Sequence, residues 1–117
     1  MEKFSVKLPL TGEYLTTVRL TTGGLCALAG FDVDATEDYK VCVTESLLIL
    51  KRNGFSSAVI EFSVGETLGC ILTGETLSSE KEEGIEDEIS RALLSALLGN
   101  AEFVENDGRV EKIAFEG

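Results

Sequence analysis

The stretch that most constrains this chain is Asp38-Tyr39-Lys40-Val41-Cys42-Val43-Thr44-Glu45-Ser46-Leu47-Leu48-Ile49-Leu50. It is the longest apolar run in the sequence, and from Tyr39 to Leu50 its only carboxylate is Glu45. As a helix it sets Val41, Leu48 and Ile49 near the line of Glu45, while Val43, Leu47 and Leu50 widen the apolar face beyond an ordinary amphipathic stripe. Such a helix is buried on more than one side. A carboxylate there is costly unless hydrogen-bond partners or a polar cavity meet it, which makes Glu45 the first candidate for a site. Spacing alone fits equally well a Glu at the edge of a core helix with its head in solvent.

A chain of 117 residues with 44% apolar content has room for one core, so residues 1–117 are expected to form a single domain. The net charge of −11 leaves no surplus of Lys and Arg to replace the counterions of a phosphate backbone, which argues against nucleic acid and for protein or other basic partners. More than half of that charge lies between Glu75 and Glu88, where seven acids face one base, Lys81. Cys26, Cys42 and Cys70 are far apart in sequence and embedded in apolar surroundings, the pattern of buried thiols in a reducing compartment. With no His, imidazole acid/base chemistry and the commoner zinc sites are excluded, and three scattered cysteines make a poor metal set. Met1-Glu2-Lys3 is followed by alternation instead of an apolar signal region, and no run reaches the roughly 18 residues that span a bilayer, so a cytoplasmic chain without membrane contact is expected.

Phe4, Val6, Leu8 and Leu10 alternate with Lys3, Ser5, Lys7 and Pro9, which predicts a strand from Lys3 to Leu10 with Pro9 marking an edge or an exit. Thr11 to Gly30 reads two ways: its β-branched residues favour a strand, whereas Leu15, Val18, Thr22, Leu25 and Leu28 keep helical spacing before Gly30. The helix through Glu45 is expected to be capped by Asp34 or Thr36 and to end at Lys51-Arg52, with Asn53-Gly54 closing it. Strands are predicted over Ser57–Val64 and Leu68–Thr73, joined by Gly65-Glu66-Thr67. Gly74 to Glu83 reads as an exposed acidic loop, Ser79 with Glu82 as a capping box, and Ile85, Ile89, Ala92, Leu93, Ala96 and Leu97 as the stripe of an amphipathic helix stopped by Gly99. Ala101–Glu105 and Arg109–Phe115 flank Asn106-Asp107-Gly108 as a hairpin. The order predicts an α+β two-layer sandwich, a mainly antiparallel sheet with three helices on one face.

This order, together with three strings, resembles the anti-sigma-factor serine kinases of the histidine-kinase-like ATPase (GHKL) superfamily. Tyr14-Leu15-Thr16-Thr17-Val18-Arg19 is similar to the family's first helix with its Val-Arg pair, Asp38 to Glu45 to its second helix with the N box, and Gly84 to Phe115 to its closing helix and hairpin. The resemblance implies a helix from about Glu13 to Ala29. It implies that Glu45 occupies the position of the base that orients the attacking group in phosphoryl transfer. It also implies that Arg19 lies on a surface for a protein partner, a sigma factor or an anti-sigma antagonist.

The chain departs from the family where the nucleotide would be held. Four residues after Glu45 the family carries an Asn that binds magnesium, and here Ile49 offers no oxygen. The Asp-Gly box after the second hairpin strand is replaced by Thr73-Gly74-Glu75, with Gly74 its one remnant, and the glycine-rich lid has shrunk to an acidic segment that would repel a triphosphate. The reading is therefore a degenerate, protein-binding anti-sigma-like module with no cofactor and with Glu45 a silent relic. The alternative is an active serine kinase or ATPase that binds ATP and magnesium at an atypical site. Pairing of exposed sheet edges leaves a homodimer open, and Thr16, Thr17, Thr21 and Thr22 read as ordinary surface threonines.

Overall fold

The computed structural model describes residues 2–82 and 84–117; the expectations that touch Met1 and Glu83 lie outside the described residues. The alternating N-terminal segment forms β1 (Glu2–Pro9), which pairs antiparallel with β2 (Phe55–Val64) and leaves its other side free at the sheet edge. Pro9, which lacks an N–H to donate, thus stands on an edge strand as expected.

The ambiguous segment is a helix, α1 (Gly12–Leu28), and it buries Val18, Thr22, Leu25 and Cys26 along one side. Thr22 is fully buried, which corrects its reading as a surface residue, while Thr21 turns its hydroxyl back to the Thr17 carbonyl at 3.1 Å. Gly30, at φ +80°, stops the helix.

The central stretch forms α2 (Val33–Arg52). Its N-cap is Asp32, whose Oδ1 accepts from the Ala35 N–H at 2.8 Å; the expected caps Asp34 and Thr36 lie inside the helix, and the Thr36 hydroxyl donates to the Asp32 carbonyl. The apolar run buries Tyr39, Val43, Leu47, Ile49 and Leu50 without residual exposure beyond 1%. The Tyr39 hydroxyl, deep in that core, donates to the Leu68 carbonyl at 2.7 Å, and its ring meets Phe31 and Phe115 edge-on.

β2 and β3 (Leu68–Leu77) form the central hairpin. Both run longer than the pattern predicts. Gly74 to Leu77 continues β3 instead of opening a loop, because Thr76 and Leu77 still find partners in Ser57 and Phe55 across two register shifts. Gly74 has a steric reason to be glycine: a Cβ there would sit 2.5 Å from the Phe55 ring.

α3 (Glu86–Leu97) starts later than the Ser79–Glu82 box implies, since the Ser79 and Glu82 N–H groups bond to the carbonyls of Gly54 and Arg52. β4 (Glu102–Asn106) and β5 (Arg109–Glu116) close the chain across Asp107 and Gly108, both at positive φ, as an Asp-Gly hairpin requires.

The sheet order is β1-β2-β3-β5-β4, antiparallel throughout. Leu8, Ala58, Ile60, Phe62, Leu72 and Ile113 line its inner face, and α2 lies across them on β2, β3 and β5, with α1 on one flank and α3 on the other. This is the α+β two-layer arrangement of the histidine-kinase-like ATPase fold. Among the described residues no helix is long and apolar enough to cross a membrane.

Candidate functional site

Glu45 stands in the middle of α2, half-buried, on the flank that faces α3. One polar group reaches it from there: the Ser90 hydroxyl, 3.4 Å from Oε1. Ser90 is itself almost fully buried and accepts from the Arg52 guanidinium at 2.6 Å. Arg52 lies two turns beyond Glu45 on α2, and its Nε donates to Asp87 Oδ1 at 2.8 Å with about a fifth of each side chain exposed. A further contact runs from Arg52 to the Glu86 carbonyl. One arginine thus ties the first turn of α3 to α2 beside Glu45, using a charge-assisted pair in a partly desolvated setting.

Asn53 continues this network. Fully buried, it donates from Nδ2 to the Ile49 carbonyl at 2.8 Å and to Asp87 Oδ2 at 3.3 Å, and accepts at Oδ1 from the Val110 N–H at 3.1 Å. Its own carbonyl accepts from Arg109 at 2.7 Å, and the same guanidinium reaches Ser79. Gly54, at φ +101°, passes so close to the Ser79 carbonyl and to Arg109 that no Cβ fits. Asn53 itself keeps φ −83°, so Gly54 alone supplies the left-handed turn expected of the pair. The segment after β3 is strapped across this corner and leads directly into α3.

Sequence reasoning missed these residues as a unit. Arg52 reads locally as a helix-end cation, Asn53 as a turn residue and Asp87 as one more acid in an acidic run. The available signal was Asn53 beside Gly54 soon after the apolar run Leu47–Leu50, where a buried amide must find partners.

Arg19 lies on the other flank of α2. It is exposed on α1, and its Nε donates to the Thr44 hydroxyl at 3.2 Å, which in turn donates to the Lys40 carbonyl. Glu45 and Arg19 are therefore separated by the body of α2, one turned to α3 and the other held from α1. Ile49, one turn after Glu45, has no exposed surface at all.

A groove of about 200 Å³ between β1 and α1 is lined by Val6, Leu8, Tyr14, Val18 and Phe62, and a shallower one by Asn100, Glu102 and Glu116. Neither reaches Glu45. The three cysteines are free, buried and gathered around Tyr39. Burial pushes Cys26 up to about 11 and Cys42 up to about 12, and Cys70 well above its ordinary value, so all three are protonated and unreactive at neutral pH. Among the described residues no group of Cys, Asp and Glu is arranged to hold a metal ion.

Fold and site together define a small α+β structure of histidine-kinase-like ATPase architecture whose central helix carries one carboxylate, Glu45, within its apolar run from Tyr39 to Leu50. The chain is 30% identical over 63 residues to the serine-protein kinase RsbW of Bacillus cereus (strain AH187), a match covering 54% of this chain and 39% of that protein. The RsbW proteins of Bacillus thuringiensis (strain Al Hakam) and Bacillus mycoides (strain KBAB4) match with the same identity and coverage. The matched stretch spans about two fifths of the length of these curated relatives. No family model matches the chain. The similarity supports a family relationship with these serine-protein kinases.

Proposed function

We propose that this chain is a regulatory protein-binding module related to the anti-sigma-factor serine kinases, in which the scaffold and a partner surface are kept and the nucleotide site is lost. The observation that carries this reading is the state of α2 around Glu45. Ile49, one turn on, is sealed in the core and offers no oxygen to a hard cation, and the flank of Glu45 is engaged by Ser90, itself bonded to the Arg52–Asp87 pair.

The residues present do not fit a magnesium-bound nucleotide. Without the metal, the charge on a transferring phosphoryl group would go unneutralised, and that neutralisation supplies most of the catalysis in this reaction class. Glu45 is then a relic of the base position, satisfied by a neutral hydroxyl. The module takes no cofactor and works in the cytoplasm on a protein partner, for which the resemblance implies a sigma factor or an anti-sigma antagonist. Arg19, exposed on α1 and oriented by Thr44, is the residue assigned to that contact.

The test is affinity purification of the tagged chain from its native host, with Arg19→Glu in parallel. The substitution is expected to lower recovery of the captured protein at least about tenfold, a loss of about 1.4 kcal/mol, while the melting temperature stays the same. Equal recovery by the two chains removes Arg19 from the interface.

A further inference from the structure

The stripe that makes α3 amphipathic points the wrong way for a core helix. Ile85 is 65% exposed, Ile89 52% and Leu93 37%, whereas the inward side carries Asp87, Ser90, Leu94 and Leu97, and Arg91 turns to Phe103 and Glu105 of β4. Ile85, Ile89 and Leu93 recur every four residues, and Ala92 and Ala96, also exposed, fill the spaces between them, so they form one continuous apolar ridge on the solvent side. A row of large aliphatic side chains at helical spacing, turned out of the core, is the pattern of an interaction surface.

The surroundings select the partner. Glu86 and Glu88 flank the ridge on the helix, and Glu80 and Glu82 lie just before it, all exposed. Nearby cations are committed elsewhere: Arg52 to Asp87, Arg91 to Glu105 at 2.9 Å and over the Phe103 ring, and Lys81 to the Gly108 carbonyl. Among the described residues these four acids form no ion pair. The rim is therefore net negative, four acids against the single cation Lys81, in a chain of net charge −11. A second copy laid on this face would set acid against acid, and an anionic membrane surface would be repelled in the same way.

We infer that the outer face of α3 is a docking site for a basic amphipathic helix of a partner protein. The partner's apolar stripe packs on Ile85, Ile89 and Leu93, and its Lys and Arg flanks meet Glu82, Glu86 and Glu88. This rests on the protein-binding reading above and adds a surface distinct from that of Arg19, since α3 and α1 lie on opposite flanks of α2.

The experiment is fluorescence anisotropy with a labelled synthetic helical peptide carrying Leu at three- and four-residue spacing and Lys and Arg on its flanks. A peptide with Glu in place of the basic residues and a scrambled basic peptide serve as controls. The basic amphipathic peptide is expected to bind, and to weaken at least about tenfold on Ile89→Asp or on raising salt from about 0.1 M to 1 M, where the screening length falls to about 3 Å. At fixed salt Ile89→Asp leaves the circular dichroism melt in place, and Leu93→Ser repeats the effect if Ile89→Asp perturbs the helix.

Equal binding of the acidic or scrambled peptide, indifference to Ile89→Asp, or no binding at millimolar peptide overturns the proposal. So does a concentration-dependent dimer, or adsorption to phosphatidylglycerol vesicles, that Ile89→Asp abolishes. Arg19→Glu should leave peptide binding intact. If the peptide fails while Arg19→Glu still costs the captured partner, the protein-binding reading stands and α3 alone is removed from it.

Discussion

At the scale of single residues, the chain keeps a carboxylate in its central helix by surrounding it with modest polarity instead of a cavity. Ser90 is small enough to fit between two helices and reaches Glu45 with a neutral hydroxyl, while the charge balance is held one step away by Arg52 and Asp87. That pair sits on the boundary between surface and interior. Among the described residues, removing Arg52 leaves Asp87 with only the Asn53 amide at 3.3 Å. Arg52→Ala is therefore expected to cost about 2–3 kcal/mol, somewhat less than a fully buried pair because part of each side chain meets solvent. Asp87→Ala should cost a similar amount. The double variant should be less damaged than the sum of the two by at least ~1 kcal/mol, since the second deletion no longer strands a charge. Urea denaturation of the four proteins measures this coupling, and strictly additive losses would show that the two residues act separately.

At the scale of elements, what was legible in the sequence is what local physics decides. The period-two alternation of β1, the Asp-Gly turn between β4 and β5 and the broad apolar face of α2 each follow from spacing or turn chemistry, and each stands where the sequence places it. α1 was illegible from pattern alone because threonines at Thr16, Thr17, Thr21 and Thr22 suit either state. Tertiary packing of Val18, Leu25 and Cys26 decides it for helix. The extension of β3 through Leu77 depends on partners in β2 that no local signal announces.

α3 shows the reverse case, in which the period is correct and does not decide which side is buried. Its helical stripe was visible, yet the packing against α2 is set by the Arg52–Asp87–Ser90 contacts and Leu94, so Ile85, Ile89 and Leu93 are left outside while Leu97 packs against the core. The candidate site was legible only in part for the same reason. Glu45 stands out by type in an apolar run and Ile49 only through the family resemblance, whereas the network that closes around them joins residues 35 and 57 positions apart in sequence.

The corner at Asn53-Gly54 holds these elements together. Gly54→Ala must place a Cβ against the Ser79 carbonyl and Arg109 at a positive φ. It is expected to destabilise by more than about 1 kcal/mol, and thermal denaturation would show it. Little change in the midpoint would mean that the segment after β3 is not held at this corner.

At the scale of the whole molecule, acid residues cover the surface while three thiols and a phenol occupy the centre. The unfolded chain ionises its cysteines near 9.0, whereas burial raises Cys26 to about 11 and Cys42 to about 12 in the folded state. Below pH 9 both states hold these protons, and the thiols contribute no pH dependence. Between pH 9 and about 11–12 only the unfolded state releases them, so stability falls as pH rises through this window. The melting midpoint should decline from pH 9 upward, and Cys42→Ala should show a shallower decline at a lower starting stability. Parallel slopes would remove Cys42 from this linkage.

The same picture of a packed, closed centre underlies the functional claim, since a nucleotide would need Ile49 and the Glu45 flank to open. Its most direct test is thermal denaturation of the intact protein with ATP, with and without magnesium. A site binding at ~10 µM would add about 4 kcal/mol to stability at ~10 mM nucleotide, a large rise in midpoint for a chain of this size. The expected result is no magnesium-dependent shift at any concentration up to that level. A clear magnesium-dependent rise would contradict the account and restore Glu45 as a catalytic base.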